Sequence, residues 1–291
     1  MTRYTVDVQN LLLGLAWFGS ASTRHIARLW LPEHRRTAVW ALLTELREEG
    51  YVERRLWADW AERRSRPVRR DALWSLTRKG VTLVRDADQF PPEYKGSRPR
   101  RMFPHDSQTS EAVVRLIELM RAAQRAGQTT LSGVYLEREI RLDPARRRPV
   151  MDALVILTYG GERTPDHLVP WSRDPTLHGE RRVRYALEND RASEPLSVIA
   201  GKAHAYQQAG TAQWVRRYGP FPLPLWLVPD ERRLSAILET WRREWPVGKW
   251  LLTTDAWLQQ DRWIEYDGGT TRERGLLTTR LESSTNKEER T

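Results

Sequence analysis

The sequence predicts a mixed α+β or α/β chain in two modules, and three observations carry that prediction. Within the first 85 residues, three helical stretches are followed by two extended runs separated by an arginine-rich loop. From residue 108 to about 267, apolar strands alternate with amphipathic helices, the pattern of a mixed sheet. Between the two, residues 86–107 hold Pro91, Pro92, Pro99 and Pro104 with Gly96 and the basic run Arg98, Arg100 and Arg101, which is the composition of a semi-rigid linker. A length of 291 residues also favours two cores over one. From Gly268 onward apolar residues are few, and residues 268–291 are expected to form a disordered tail.

Residues 7–18 read as an apolar helix. A shorter helix follows to Trp30, with Ser22 or Thr23 as its cap. Pro32 is placed at the start of a third helix that runs to Glu49 and closes at Gly50. In it Val39, Leu42, Leu43 and Leu46 repeat at the spacing of a buried face. An extended run leaves Gly50 through Tyr51 and Val52, and a second begins at Ala72 and turns into a helix after Thr77. Three helices and a hairpin in this order make a winged helix. The phrase running from Gly50, Tyr51 and Val52 to Leu76, Thr77 and Gly80 resembles winged-helix DNA-binding regulators. Such a module puts the start of its third helix in the major groove. The residues there are His34, Arg35, Arg36 and Thr37, with Trp40 one turn on. The loop carries Arg63, Arg64, Arg66, Arg69 and Arg70, suited to phosphates or a minor groove. Trp17, Trp30, Trp57 and Trp74 are expected in the core.

The formal net charge of the chain is +10, and +8 of it falls in residues 1–101. A basic excess concentrated on one module points to nucleic acid, although an RNA or an acidic protein would satisfy the same field; with the winged-helix pattern, double-stranded DNA is the expected partner. The chain has no cysteine, which excludes disulfides, zinc–thiolate sites and thiol nucleophiles. The apolar stretch from Leu11 to Phe18 is too short to span a bilayer, and no signal pattern precedes it, so a cytoplasmic protein with no membrane partner is expected. A homodimer on a palindromic site stays open, since no dimer helix is marked.

In the second module a helix is expected from about Gln108 to Ala126, with Val113, Leu116, Ile117 and Met120 on its buried face, and His105 ahead of it is a packing or capping residue. Residues 131–140 read as helical, an apolar strand begins after Asp152, and 160–182 read as a loop or hairpin tip. Tyr185 and Leu187 alternate with Glu188 and Asp190 on another strand. That spacing puts the two carboxylates on one face, about 6.5–7 Å apart. A helix follows in which Lys202 and Tyr206, four apart, share a side. Leu223–Pro229 reads as a buried strand, Asp230 or Ser235 starts a helix reaching Trp245, and Lys249–Thr254 reads as the last strand.

Taken as an ordered set, the opening helices, His105 and Asp106, Asp152, Glu188, Asp190, Lys202 and Tyr206 resemble the replication-relaxation family of plasmids and mobile elements, up to about Thr254. The resemblance implies a DNA-acting protein in the replication or maintenance of such an element. It also implies that the second module is similar to the PD-(D/E)XK nuclease fold. Carried over by position, the first acidic residue of that pattern is Asp152 and the second is Glu188. Its lysine slot holds Asp190, and Lys202 on the next helix is the substitute. Met151, not proline, precedes Asp152.

A partner-binding scaffold without nucleic acid, for which the basic field would be incidental, ranks last, and two functions on DNA precede it. In one the protein binds DNA without cutting it. In the other it is a metal-dependent nuclease or nickase in which Asp152, Glu188 and Lys202 are catalytic, and Asp152, Glu188 and Asp190 hold Mg²⁺. An aspartate in the lysine slot adds a potential ligand and removes the cation that would steady developing charge.

Overall fold

The computed structural model describes residues 6–32, 34–56, 72–86, 103–125, 131–138, 151–159, 181–192, 194–209 and 221–275. The chain is a mixture of helices and two sheets. Its opening part consists of α1 (Val6–Phe18), the two-residue strand β1 (Ala21–Ser22), α2 (Thr23–Trp30), α3 (Arg36–Glu48), β2 (Val52–Leu56), β3 (Ala72–Leu76) and α4 (Arg78–Val84). The three strands form an antiparallel sheet in the order β1-β3-β2. Ser22 caps α2, its hydroxyl accepting the backbone N–H of His25 at 3.1 Å. Val39, Leu43 and Leu46 are buried on α3, Leu42 is half-buried, and Trp30 and Trp74 lie in the core.

The Gly50 to Gly80 phrase has a local physical cause. Gly50 ends α3 with φ +79°, a left-handed conformation that costs glycine little. Thr77 then ties the two runs together. Its hydroxyl donates to the Gly50 carbonyl at 2.6 Å and accepts the Gly80 N–H at 3.1 Å, capping α4. A Cβ on Gly80 would stand 2.1 Å from the Tyr51 carbonyl oxygen, so only glycine admits this approach. Lys79 adds a bond to the Glu49 carbonyl at 2.6 Å and lies over the Tyr51 ring.

α3 starts at Arg36, not at the expected Pro32. The His34 N–H bonds to the Leu31 carbonyl at 3.0 Å in a turn, and Arg35 is extended, with ψ 142°. His34 and Arg35 therefore precede the helix. The expected linker also ends early, because α5 (Phe103–Arg125) begins within it. The segment expected as a wing, with Arg63, Arg64, Arg66, Arg69 and Arg70, and most of the expected linker lie outside the described residues, as do Trp57 and residues 276–291.

The second sheet has seven strands in the order β10-β9-β8-β7-β6-β5-β4. They are β4 (Leu131–Arg138), β5 (Ala153–Tyr159), β6 (Arg181–Asn189), β7 (Leu223–Val228), β8 (Lys249–Thr254), β9 (Trp263–Asp267) and β10 (Thr270–Arg274). The pairs β6–β7 and β7–β8 are parallel and the others antiparallel. The remaining helices are α6 (Leu196–Ala209), α7 (Glu231–Glu244) and the short α8 (Asp255–Leu258). Asp230 caps α7, accepting the Arg233 N–H at 2.8 Å.

Three expectations about this half are overturned. Residues 131–138 form a strand, not a helix, since their backbone pairs with β5 from Leu131 opposite Tyr159 to Arg138 opposite Ala153. Lys249–Thr254 is not the last strand, because β9 and β10 follow it. The tail is ordered as far as Gly275, because Gly268 and Gly269, at φ +52° and +100°, turn the chain in the two-residue hairpin their conformation favours and pair Thr270 with Asp267.

The two faces of the sheet are covered differently. Ala153, Val155, Tyr185, Leu187, Leu225, Leu227 and Leu251 belong to the same buried cluster as α5 and the opening helices. On the other side Leu154, Ala186, Trp226, Trp250 and Leu252 pack with residues of α6 and α7, among them Tyr206 and Trp241. α5 is thus apolar on both sides because it lies between two layers. Charge fastens the same junction: Arg28 of α2 bonds Glu111 and Glu118 of α5, and His25 Nε2 lies 2.9 Å from Glu111 Oε2. Although burial alone pulls Glu111 upward, His25 and Arg28 hold its carboxyl well below the usual carboxylate range. Among the described residues, no helix is long and apolar enough to cross a membrane.

Candidate functional site

Adjacent antiparallel strands bring the acidic residues together. Ala153 is opposite Leu187, so Asp152, one residue before β5, comes opposite Glu188 near the end of β6. The backbone completes the junction: the Asp152 N–H donates to the Leu187 carbonyl at 3.1 Å, and Asp152 Oδ2 accepts the Asn189 N–H at 2.7 Å. Strand alternation turns Leu187 toward α5 and Glu188 toward α6. On α6 the spacing of four aims Lys202 and Tyr206 at one point. Lys202 Nζ donates to Glu188 Oε2 at 2.9 Å, and the Tyr206 hydroxyl donates to Oε1 at 2.7 Å. Lys202 also lies 3.0 Å from Glu194 Oε2 and 5.4 Å from the centre of the Trp226 ring.

The electrostatics follow from enclosure. Glu188 is 1% exposed. Burial pushes its carboxyl up to about 7, with Asp152 adding to the rise and Lys202 opposing it. Burial would lower Lys202, but the negative charges of Glu188, Asp152 and Glu194 outweigh it and keep the ammonium protonated above its ordinary range. Tyr206 is raised well above a free phenol by burial and by Glu188.

The structure therefore gathers Asp152, Glu188 and Lys202. Asp190 shares the face of Glu188 but turns to α7, where Arg233 Nε lies 2.5 Å from its Oδ2 and a second Arg233 nitrogen donates to the Glu194 carbonyl. Among the described residues, no three His, Asp or Glu side chains are grouped so as to hold a metal ion. Both Glu188 oxygens already accept hydrogen bonds, and Asp190 is committed to an arginine. The expected set of Asp152, Glu188 and Asp190 thus does not fit Mg²⁺ in this arrangement. Glu194 and Arg233 were not foreseen. Arg233 had a faint signal, lying three residues after the helix-capping Asp230.

On the opening part, the outer side of α3 is uncovered. Arg35, Arg36, Thr37 and Trp40 are exposed, as is His34 just ahead of them. Trp40 meets buried Trp74 edge-on at 5.4 Å, and the Trp74 indole N–H donates to Thr23 Oγ1 at 2.8 Å. The guanidinium of Arg54 on β2 lies 5.3 Å from the Trp40 ring centre. β2 returns along α3 from Gly50, and this contact sets the middle of β2 against α3 one turn past its start. Arg54 was missed in the sequence, although alternation with Val52 and Leu56 already put the three on one face.

No curated protein and no solved structure matches the chain. The model of the family described as replication-relaxation matches residues 13–223, which takes in the second half of α1, α2 to α5, the Asp152–Glu188–Lys202 cluster and the first residue of β7. With most of its length so matched, the chain belongs to the replication-relaxation family.

Proposed function

We propose that this protein binds double-stranded DNA through a winged-helix module formed by its opening part, and that it acts without cutting DNA in the replication or maintenance of a plasmid or mobile element. The observation that carries the proposal is the exposed start of α3. Arg35, Arg36 and Thr37 are exposed there, Trp40 is partly exposed beside them, and residues 57–71, which follow β2 in the chain, hold five arginines. A helix presented this way can read base edges while arginines on either side hold phosphate. Family membership supports the biological setting. The nuclease-like half then serves as a scaffold whose charged cluster is a closed ion pair. The test is a gel shift on duplex DNA at several salt concentrations. Affinity is expected to fall steeply with salt as counterions are released, and replacing Arg35 and Arg36 together by Ala is expected to weaken binding about tenfold or more. Unchanged binding in that double variant would refute the assignment.

The convergence of Asp152, Glu188 and Lys202 favours a second reading, a metal-dependent nuclease or nickase. Against it stand the engaged oxygens of Glu188 and the pairing of Asp190 with Arg233. In the same preparation, supercoiled plasmid incubated with Mg²⁺ or Mn²⁺ is expected to remain intact. Nicking that disappears in Glu188→Ala would establish the nuclease instead.

A further inference from the structure

Arg54 lies against an aromatic ring, whereas several arginines elsewhere in the fold lie against acids. Arg28, Arg115, Arg191, Arg233, Arg272 and Arg274 each bond a carboxylate. Among the described residues, Arg54 has no carboxylate partner, and its contact is with the Trp40 ring. Three aromatic and basic side chains make one unit here. Arg54 and Trp74 are directly opposite each other on β2 and β3, so both project from the same face of the small sheet. Trp40 of α3 stands against both of them. Trp74 is fully buried and anchored to Thr23, so the ring beside Arg54 is fixed by the core. Trp40 is nonetheless 38% exposed, which leaves the unit open to a partner on its outer side.

We infer that Arg54 is a backbone-phosphate contact for duplex DNA, held ready by Trp40; this rests on the DNA-binding function proposed above. An arginine against an aromatic face loses part of its rotamer freedom in advance, so less is lost when it meets a ligand. Its planar fork keeps donors that match two phosphate oxygens. The partner is anionic because the surroundings are cationic: Arg35 and Arg36 are exposed at the start of α3, and the first 101 residues carry +8. The position also fits, since Arg54 lies against Trp40, one turn beyond the exposed start of α3. A phosphate contact there would fix the approach of α3 without itself reading sequence.

The experiment measures the affinity of the full chain for a random-sequence duplex as a function of salt, for wild type, R54Q and R54K, with circular dichroism to verify folding. R54Q is expected to lower the slope of log K against log salt by about 0.9, the contribution of one phosphate contact. R54K, which keeps the charge, is expected to keep the wild-type slope while binding more weakly. A wild-type slope in folded R54Q would overturn the inference and leave Arg54 a solvated side chain packed on Trp40. If the Arg35/Arg36 double variant loses affinity in that same experiment, only the role of Arg54 falls. If wild type does not bind duplex DNA at all, the DNA-binding function falls with it. If R54Q does not fold, a slope lowered in R54K overturns the inference, and an unchanged slope with weaker binding supports it.

Discussion

The Tyr206 hydroxyl donates to Glu188 Oε1 at 2.7 Å while Lys202 occupies Oε2 at 2.9 Å, so one helix face saturates a carboxylate held on the neighbouring strand. The cluster has the residue types of a catalytic centre and the connectivity of a structural one. Its acid is enclosed, its lysine is shared between two carboxylates, and its third acidic neighbour is bonded to backbone.

A structural role has a large energetic signature. Glu188→Ala removes the acceptor of two buried donors and leaves Lys202 beside a hole, so a loss of about 3–5 kcal/mol is expected in urea unfolding. Tyr206→Phe deletes one charge-assisted hydrogen bond and is expected to cost about 1–3 kcal/mol. A stability change below about 0.5 kcal/mol for both variants would contradict the closed-pair description.

The raised Glu188 carboxyl makes stability depend on pH in a stated direction. Its pKa is about 7 in the fold against an ordinary 4.5, so the fold favours the protonated form. That contribution is complete below about 4.5 and is lost as pH rises through about 7. The difference in unfolding free energy between wild type and Glu188→Gln, which does not titrate, is therefore expected to move against wild type by up to about 3 kcal/mol between pH 5 and pH 8. A difference that stays flat over that interval, measured by denaturant titration at each pH, would show that burial does not control this group.

At the other end of the chain, Gly80→Ala puts a Cβ 2.1 Å from the Tyr51 carbonyl oxygen, where the obstacle is backbone and cannot rotate away. The start of β2 and the start of α4 must then separate, weakening the Thr77 bonds to Gly50 and Tyr51. A loss of about 3 kcal/mol is expected. A variant as stable as wild type by thermal unfolding would mean that the turn relaxes freely.

Much of the first sheet was legible because its signals are local. Gly50, Thr77 and Gly80 are punctuation whose purpose lies within thirty residues of chain, and Val39, Leu43 and Leu46 declare a buried face by spacing alone. Residues 131–138 depart from the expected helix because a helix and a strand compete closely in a short stretch containing Leu131, Val134 and Leu136. What decides for the strand is the pairing partner β5, and its location along the chain cannot be read from the stretch itself. The hairpin after Asp267 reads as tail in the sequence because β10 is polar and exposed, so it carries no apolar pattern to announce it. Its two glycines were the available signal.

The sequence by itself determined the mixed α+β class, the basic opening part, the family resemblance and the candidate acids Asp152 and Glu188, because composition, short-range periodicity and residue order are properties of the chain. Only the tertiary structure decided what those acids do to one another. Whether Lys202 stands over Glu188 or faces water, and whether Asp190 joins a cluster or meets Arg233, depends on how α6 and α7 lie against the sheet. Those positions are set by packing Trp226, Trp241 and Trp250 into one core. The same reason placed Arg54 beside Trp40: neither side chain signals the other in the sequence, and the strand reversal at Gly50 brings them together.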